Sequence, residues 1–310
     1  EPEIDALVRA IVARPNICGY NAFHTAGGVL LRPSSTQPDS ALPPGDRWAW
    51  TELGAIGTAL TGYPVHSVYE DFTWDTSSTM SGAADDWIYE HLGVFGWTTE
   101  FWDVVHAATG TKTSTLAWYT GPTDDQALAV LRWCDEHHPE GHVDWYGFDH
   151  PQLGRVELGG WDDLNVWTNP PLDRLTQEVS GHAAFAVRQA LCSPRLEIRH
   201  LTATPLGADG PTGTQDWRVE VGLANTGWLP TQISERAARS SMVLPVTAEI
   251  SSVGPGEAGA GAVEVRHGPA RVTLGQLARR SAMRFTGGHD GTPDRVLATW
   301  TVRAVPGATV

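Results

Sequence analysis

Ile17-Cys18-Gly19-Tyr20-Asn21-Ala22-Phe23 is a short apolar run that delivers His24 at its end, and Val94-Phe95-Gly96-Trp97-Thr98-Thr99-Glu100-Phe101-Trp102 is a second run, aromatic and β-branched, with one carboxylate inside it. Both read as buried strands of an α/β sheet. Open α/β sheets place their chemistry at the C-terminal ends of strands, which makes His24 and Glu100 the first candidates. On its position alone, a histidine at a strand end is more often structural than a ligand, and the glycines that follow it, Gly27 and Gly28, only permit close backbone approach. Glu100 is different, because an unpartnered buried carboxylate is costly and calls for a partner, a metal or a catalytic task.

Working outward, residues 27–31 and 63–69 read as further strands. Ile4, Leu7, Ile11 and Val12 space a helix over residues 1–14 that stops at Pro15. Helical spacing recurs over residues 48–60, 83–92, 124–137 and 174–191, with Gly93 as a C-cap. Residues 36–45 are a Pro/Ser/Asp-rich loop, and residues 71–80 form a polar loop studded with aromatics, suited to a functional face. Beyond Pro194 apolar and polar residues alternate, as in Trp217-Arg218-Val219-Glu220-Val221 and Thr299-Trp300-Thr301-Val302, between Gly/Pro-rich connectors. The expected architecture is an α/β domain with a mixed sheet over residues 1–193, followed by an all-β sandwich of immunoglobulin-like or transthyretin-like character over residues 194–310.

The length of 310 residues suits two domains of about 150 residues each. With 21 Lys+Arg against 36 Asp+Glu the net charge is −15, a field that repels a phosphate backbone, so nucleic acid is not an expected partner. No window approaches the roughly 18 apolar residues of a membrane span, and no membrane partner is expected either. Glu1-Pro2-Glu3-Ile4-Asp5 lacks the basic start and apolar run of a signal peptide, which predicts a cytosolic protein or one whose beginning lies outside this sequence. Cys18, Cys134 and Cys192 are too few and too far apart for a disulfide framework and read as buried thiols. Fourteen tryptophans imply large packed surfaces or an aromatic-walled cleft.

A third candidate is the run His137-His138-Pro139-Glu140-Gly141-His142, continuing to Asp149-His150. His137 and Glu140 have HxxE spacing, which would set two zinc ligands on one helical face with His142 or His150 as a third. Pro139 breaks the helix such a motif needs, so the run reads as a helix C-terminus with dipole-compatible histidines entering a loop.

Taken together, the first two candidates resemble the carboxypeptidase A-like zinc metallocarboxypeptidases. In that family a His-Ser/Thr pair at a strand end leads to Leu-Leu-x-x-Pro or a near variant, and here His24-Thr25 leads to Leu30-Leu31-Arg32-Pro33. An Asp-Trp pair on a helix is followed at fixed spacing by the strand with the essential glutamate, and here Asp86-Trp87-Ile88-Tyr89 leads through Gly93-Val94-Phe95 to Thr99-Glu100. The resemblance covers roughly residues 1–105, with residues 174–191 in a subfamily extension. It implies hydrolysis of a C-terminal peptide bond, with zinc as cofactor and a peptide or protein C-terminus as substrate. His24 would be a zinc ligand and Glu100 the general base and acid that takes a proton from water and returns it to the leaving amine. The pocket-floor position falls on Asp85, where an acidic side chain would favour a basic C-terminal residue; by position alone Asp85 fits a surface helix acid equally well. The family's mobile-loop tyrosine would fall near Ser78, where the loop offers Tyr69 and Trp74 as substrate-binding candidates.

The family's HxxE motif and substrate-gripping arginines belong upstream of His24, where 23 residues hold no other histidine. The expectation is therefore the C-terminal half of the catalytic domain, inactive alone, whose missing N-terminal part is its partner. Its sheet should show an apolar edge where further strands would pair. The alternative is a catalytically inactive carboxypeptidase-like protein that binds peptide or glycan.

Overall fold

The computed structural model describes all residues except 74, 76, 78, 79, 115, 116, 118, 119, 208–212, 253–262, 280–292, 306, 307, 309 and 310. The chain divides into two units, Glu1–Ala190 and Leu191–Val310.

The first unit is built on a mixed four-stranded sheet of β1 (Gly19–Thr25), β2 (Val29–Arg32), β3 (Val65–Ser67) and β4 (Phe95–Phe101), in the order β1-β4-β2-β3. β1 runs parallel to β4 and β2 parallel to β3, while β2 and β4 are antiparallel. Its helices are α1 (Pro2–Val12), α2 (Pro44–Thr61), α3 (Ala84–Leu92), α4 (Val104–Thr109), α5 (Asp124–His137) and α6 (Leu175–Leu191). Each boundary has a local cause. Pro43-Pro44 presets the first turn of α2, and α5 opens on a reciprocal capping box between Thr123 and Gln126. Left-handed glycines, Gly62 and Gly93, end α2 and α3.

Leu30, Trp50, Ile88, Trp97 and Phe185 are fully buried, each contributing roughly 1.5–3 kcal/mol by removal from water. Two buried polar links hold the helices in place. Trp50 Nε1 donates to the Gly96 carbonyl at 3.3 Å, and the Tyr89 hydroxyl donates to Asp46 Oδ2 at 2.7 Å. β1 is an edge of this sheet among the described residues. Phe23 on β1 is exposed, as are Ile4, Leu7 and Val12 on α1.

Three sequence expectations change. The strand expected over 63–69 shortens to β3, because the Ser67 side chain accepts from Glu70 N at 3.3 Å and starts a wide turn over Val68–Phe72. Only Cys134 is a buried thiol; Cys18 and Cys192 are half-buried, and Cys18 sits just before the edge strand. A hairpin of β5 (His142–His150) and β6 (Gly154–Trp161) occupies a stretch with no strand expectation.

The second unit contains β7 (Leu196–Leu206), β8 (Gln215–Asn225), a short helix α7 (Glu235–Arg239), β9 (Val246–Glu249), β10 (Val263–His267), β11 (Arg271–Gly275) and β12 (Arg295–Ala304). One antiparallel sheet has the order β10-β12-β8-β7, and a second pairs β11 with β9. β12 buries Ala298, Trp300, Val302 and Ala304, every second residue, as a strand with one covered face must. Val219, Trp300 and Val302 share a core with Ile250, Ala248, Val272 and Leu274, so the two sheets contribute to one apolar layer. Among the described residues no helix is long and apolar enough to cross a membrane.

Candidate active site

The parallel register of β1 and β4 sets His24 directly opposite Glu100. Register partners on neighbouring strands lie about 4.8 Å apart with side chains on the same face, so the two candidates from distant sequence stand side by side at the C-terminal ends of β1 and β4. His24 is exposed and Glu100 half-buried.

Asp85 joins them from α3. The first turn of that helix presses on β4 at Gly96, where a Cβ would stand 2.6 Å from the Asp85 carbonyl oxygen and 2.8 Å from its Cα. Only glycine permits this approach, and Gly96 shares the face of Glu100 because strand side chains alternate with period two. The carboxyl of Asp85 is thereby carried within electrostatic reach of Glu100 and of Tyr20 on β1. With 1% exposure, Asp85 is a buried residue and the surface reading of it is overturned.

The electrostatics of this cluster follow from burial. Burial first, and the Asp85 charge second, push Glu100 up to about 7. Burial first, and the neighbouring Asp86 second, push Asp85 up to about 6. Asp85 Oδ1 accepts from Asp86 N at 3.1 Å, and the Thr98 side chain on β4 opposes the upward shift of the carboxyl, while Oδ2 is buried without a partner at hydrogen-bonding geometry among the described residues. Asp86 is better served, since both of its oxygens accept from Ser35 N, at 3.2 and 3.0 Å, and fasten α3 to the loop after β2.

The strand end that carries Glu100 is locked by residues the sequence did not announce. Trp102 adopts φ 67, a left-handed conformation that costs a bulky residue of order 1 kcal/mol or more. Its N–H donates to the Tyr63 hydroxyl at 2.8 Å, and that hydroxyl in turn donates to Glu178 on α6. The Trp102 indole donates to the Val166 carbonyl at 2.7 Å. Beside this lock His182 is 2% exposed, and its ring lies between those of Tyr63 and Phe101. Burial pushes its imidazole down to about 4, so it is neutral. No local pattern around Tyr63 or Glu178 marks these roles.

Other candidates do not converge. Tyr69 lies in the turn after β3 with its N–H bonded to the Ser34 carbonyl, and no hydrogen bond or ring contact joins it to His24, Asp85 or Glu100 among the described residues. Trp74 and Ser78 lie outside the described residues. His137 ends α5 with Nδ1 3.1 Å from the Trp133 carbonyl, and Pro139–Gly141 form a separate 3-10 turn, so the HxxE spacing spans a helix end. Among the described residues no group of three His, Cys, Asp or Glu side chains is placed to hold a metal ion. Useful zinc affinity takes three convergent donors, so His24 with these neighbours does not by itself fit the ion.

Residues 1–116 match the zinc carboxypeptidase family. The matched stretch, which is similar to part of a zinc carboxypeptidase domain, contains β1–β4, α1–α4 and all of His24, Asp85 and Glu100. Residues 195–310 match a domain of unknown function. No curated protein matches the chain.

Proposed function

We propose that residues 1–116 supply the glutamate-and-pocket side of a zinc carboxypeptidase site that hydrolyses C-terminal peptide bonds. The observation that carries this reading is the in-register pair of His24 and Glu100, with the buried Asp85 beneath the same strand. Near neutral pH a carboxyl at about 7 is divided between its two protonation states. Glu100 is then suited to accept a proton from water and return it to a leaving amine. Asp85, with one buried oxygen unpartnered, is suited to receive the cationic end of a lysine or arginine side chain, which would give a preference for basic C-terminal residues.

The remaining zinc donors would come from a segment that pairs beside β1. That strand is an edge of the sheet among the described residues, and His24 lies at its open side. The exposed apolar residues of α1 and Phe23 offer a surface for the same segment to cover. In this reading the chain binds no catalytic zinc on its own, and the second unit is an accessory β-sandwich supported by the apolar core its two sheets share.

Zinc content and the release of C-terminal residues from peptides test the proposal, compared between this chain and one extended by any coding sequence upstream of Glu1. The extended form should bind one zinc per chain and release C-terminal lysine or arginine fastest. An extended form without zinc, or one whose activity survives Glu100→Gln, overturns the enzyme reading. Peptide binding without hydrolysis in that form would support an inactive binding protein instead.

A further inference from the structure

A cavity of about 200 Å³ lies in the first unit behind the Trp102 lock, lined by Tyr63, Trp102, Asp103, His106, Lys112, Arg174 and Glu178 among others. Its volume is below the roughly 300–1,000 Å³ of drug-sized sites, which suits a small metabolite. Its formal charges balance, with Lys112 and Arg174 against Asp103 and Glu178, but its hydrogen bonds do not.

Asp103 is already engaged. Its Oδ1 accepts from His106 N at 2.9 Å and from the Thr113 hydroxyl at 2.6 Å, and its Oδ2 from Thr113 N at 2.9 Å. Among the described residues Glu178 uses Oε1 alone, for the Tyr63 hydroxyl and for Trp102 N. The basic groups, by contrast, have no acceptor among the described residues. The Lys112 ammonium lies over the Tyr63 ring, 4.9 Å from its centroid, and makes no ion pair among the described residues. The guanidinium of Arg174 lies 5.1 Å from the centre of the Trp133 ring, with Nε buried and unpartnered. His106 Nδ1 is buried and unpartnered as well. Burial pulls the Lys112 ammonium below its ordinary value, against the opposing pull of Asp103 and Glu178, as expected for a cation short of hydrogen bonds.

Unfilled basic donors call for a carboxylate or another oxyanion. A bare anion would leave the cavity with a net charge and would face two carboxylates. A ligand that also carries an ammonium keeps the balance, and Glu178 Oε2 is open to receive it. We propose that this cavity binds a small zwitterion of the free α-amino acid class, its carboxylate held by Lys112, Arg174 and His106 and its ammonium by Glu178. The proposal stands independently of any hydrolytic role for Glu100.

Isothermal titration of the full chain with glycine, alanine, serine and glutamate, and in parallel with acetate, inorganic phosphate and methylamine, tests it. At least one amino acid should bind about tenfold or more tightly than acetate, phosphate and methylamine, since each of these offers only part of the hydrogen-bond set. Lys112→Gln and Arg174→Gln should each weaken that binding by about tenfold while the circular dichroism of the chain is unchanged. Should one variant fail to fold, the other decides. No binding by any amino acid overturns the site. Equal binding of acetate or phosphate overturns the zwitterion, and unaltered binding in both folded variants overturns the assignment of the donors.

Discussion

Asp85 in the first unit and Asn225 in the second are each 1% exposed, yet they are buried on opposite terms. Asn225 closes strand β8 with every polar valence filled. Its amide donates to the carbonyls of Leu229 at 2.8 Å and Ala278 at 3.0 Å, and its oxygen accepts from Arg195 N and Gly227 N, both at 3.0 Å. Asp85 keeps one buried oxygen without a partner and stands near a second raised carboxyl, Glu100. A satisfied buried amide is a fastening of the fold, whereas an unsatisfied buried carboxylate is a strain that the fold tolerates where a ligand can relieve it. The same contrast extends to the sheets around them. β12 buries Trp300 and Val302 in strict alternation, while β4 sets a carboxylate among aromatics.

The largest effect belongs to the first unit. In a zinc-loaded form, Glu100→Gln should lower peptide hydrolysis by roughly 10²–10⁴-fold with zinc content unchanged, because the amide cannot carry the proton. Steady-state assays on a peptide with C-terminal arginine check this, and a loss below tenfold would make Glu100 a mere packing residue.

In the second unit the expected loss is one of stability. Asn225→Ala removes four hydrogen bonds and strands their buried partners, which should destabilise that unit by about 4 kcal/mol in denaturant unfolding. A loss below about 1 kcal/mol would mean that water fills the vacated positions.

Asp85→Asn should have the opposite sign. The folded carboxyl sits at about 6, above its ordinary 3.8, so the native state binds the proton more strongly than the unfolded chain. Stability therefore falls as pH rises from about 4 to 6 and stays low above that, a cost of about 3 kcal/mol for two pKa units. The amide removes this slope, so the variant should gain most at pH 8 and nothing near pH 3.5. Unfolding at both pH values checks the difference, and the variant should also lose its preference for basic C-terminal residues.

Part of this contrast was visible in the sequence. Glu100 stood out because a single carboxylate interrupts an apolar run, and the helix over Asp124–His137 was legible because its acidic opening, Asp124-Asp125, and the spacing of Leu128, Val130 and Leu131 agree. The pairing of His24 with Glu100 was not locally encoded, since register between strands separated by two helices is set by packing and not by neighbours in the chain. The state of Asp85 was equally hidden: it depends on the missing side chain of Gly96 eleven residues on. The hairpin β5–β6 escaped because nearly every residue on both of its faces is exposed or half-exposed, so neither face imposes the alternation by which a strand is recognised. Tyr63 and Glu178, which lock the strand end, come from elements far apart in sequence, and each alone looks ordinary.

The smallest predicted effect sharpens the comparison most, because it sets two carboxylates against each other by sign alone. Asp216 on β8 accepts from Arg303 on β12 at 2.8 and 3.0 Å, and this bidentate bond holds its carboxyl below the ordinary value. A lowered carboxyl contributes stability above its unfolded pKa and loses it as pH falls, the reverse of Asp85. Asp216→Asn should thus weaken the chain slightly at neutral pH, leave it unchanged in acid, and lose most of that small effect in high salt, because the pair is half-exposed and open to screening. If Asp216→Asn instead stabilised the chain as pH rose, the sign of a pH slope would not separate a relieved surface acid from a strained buried one. The assignment of Asp85 to the site would then rest on geometry alone.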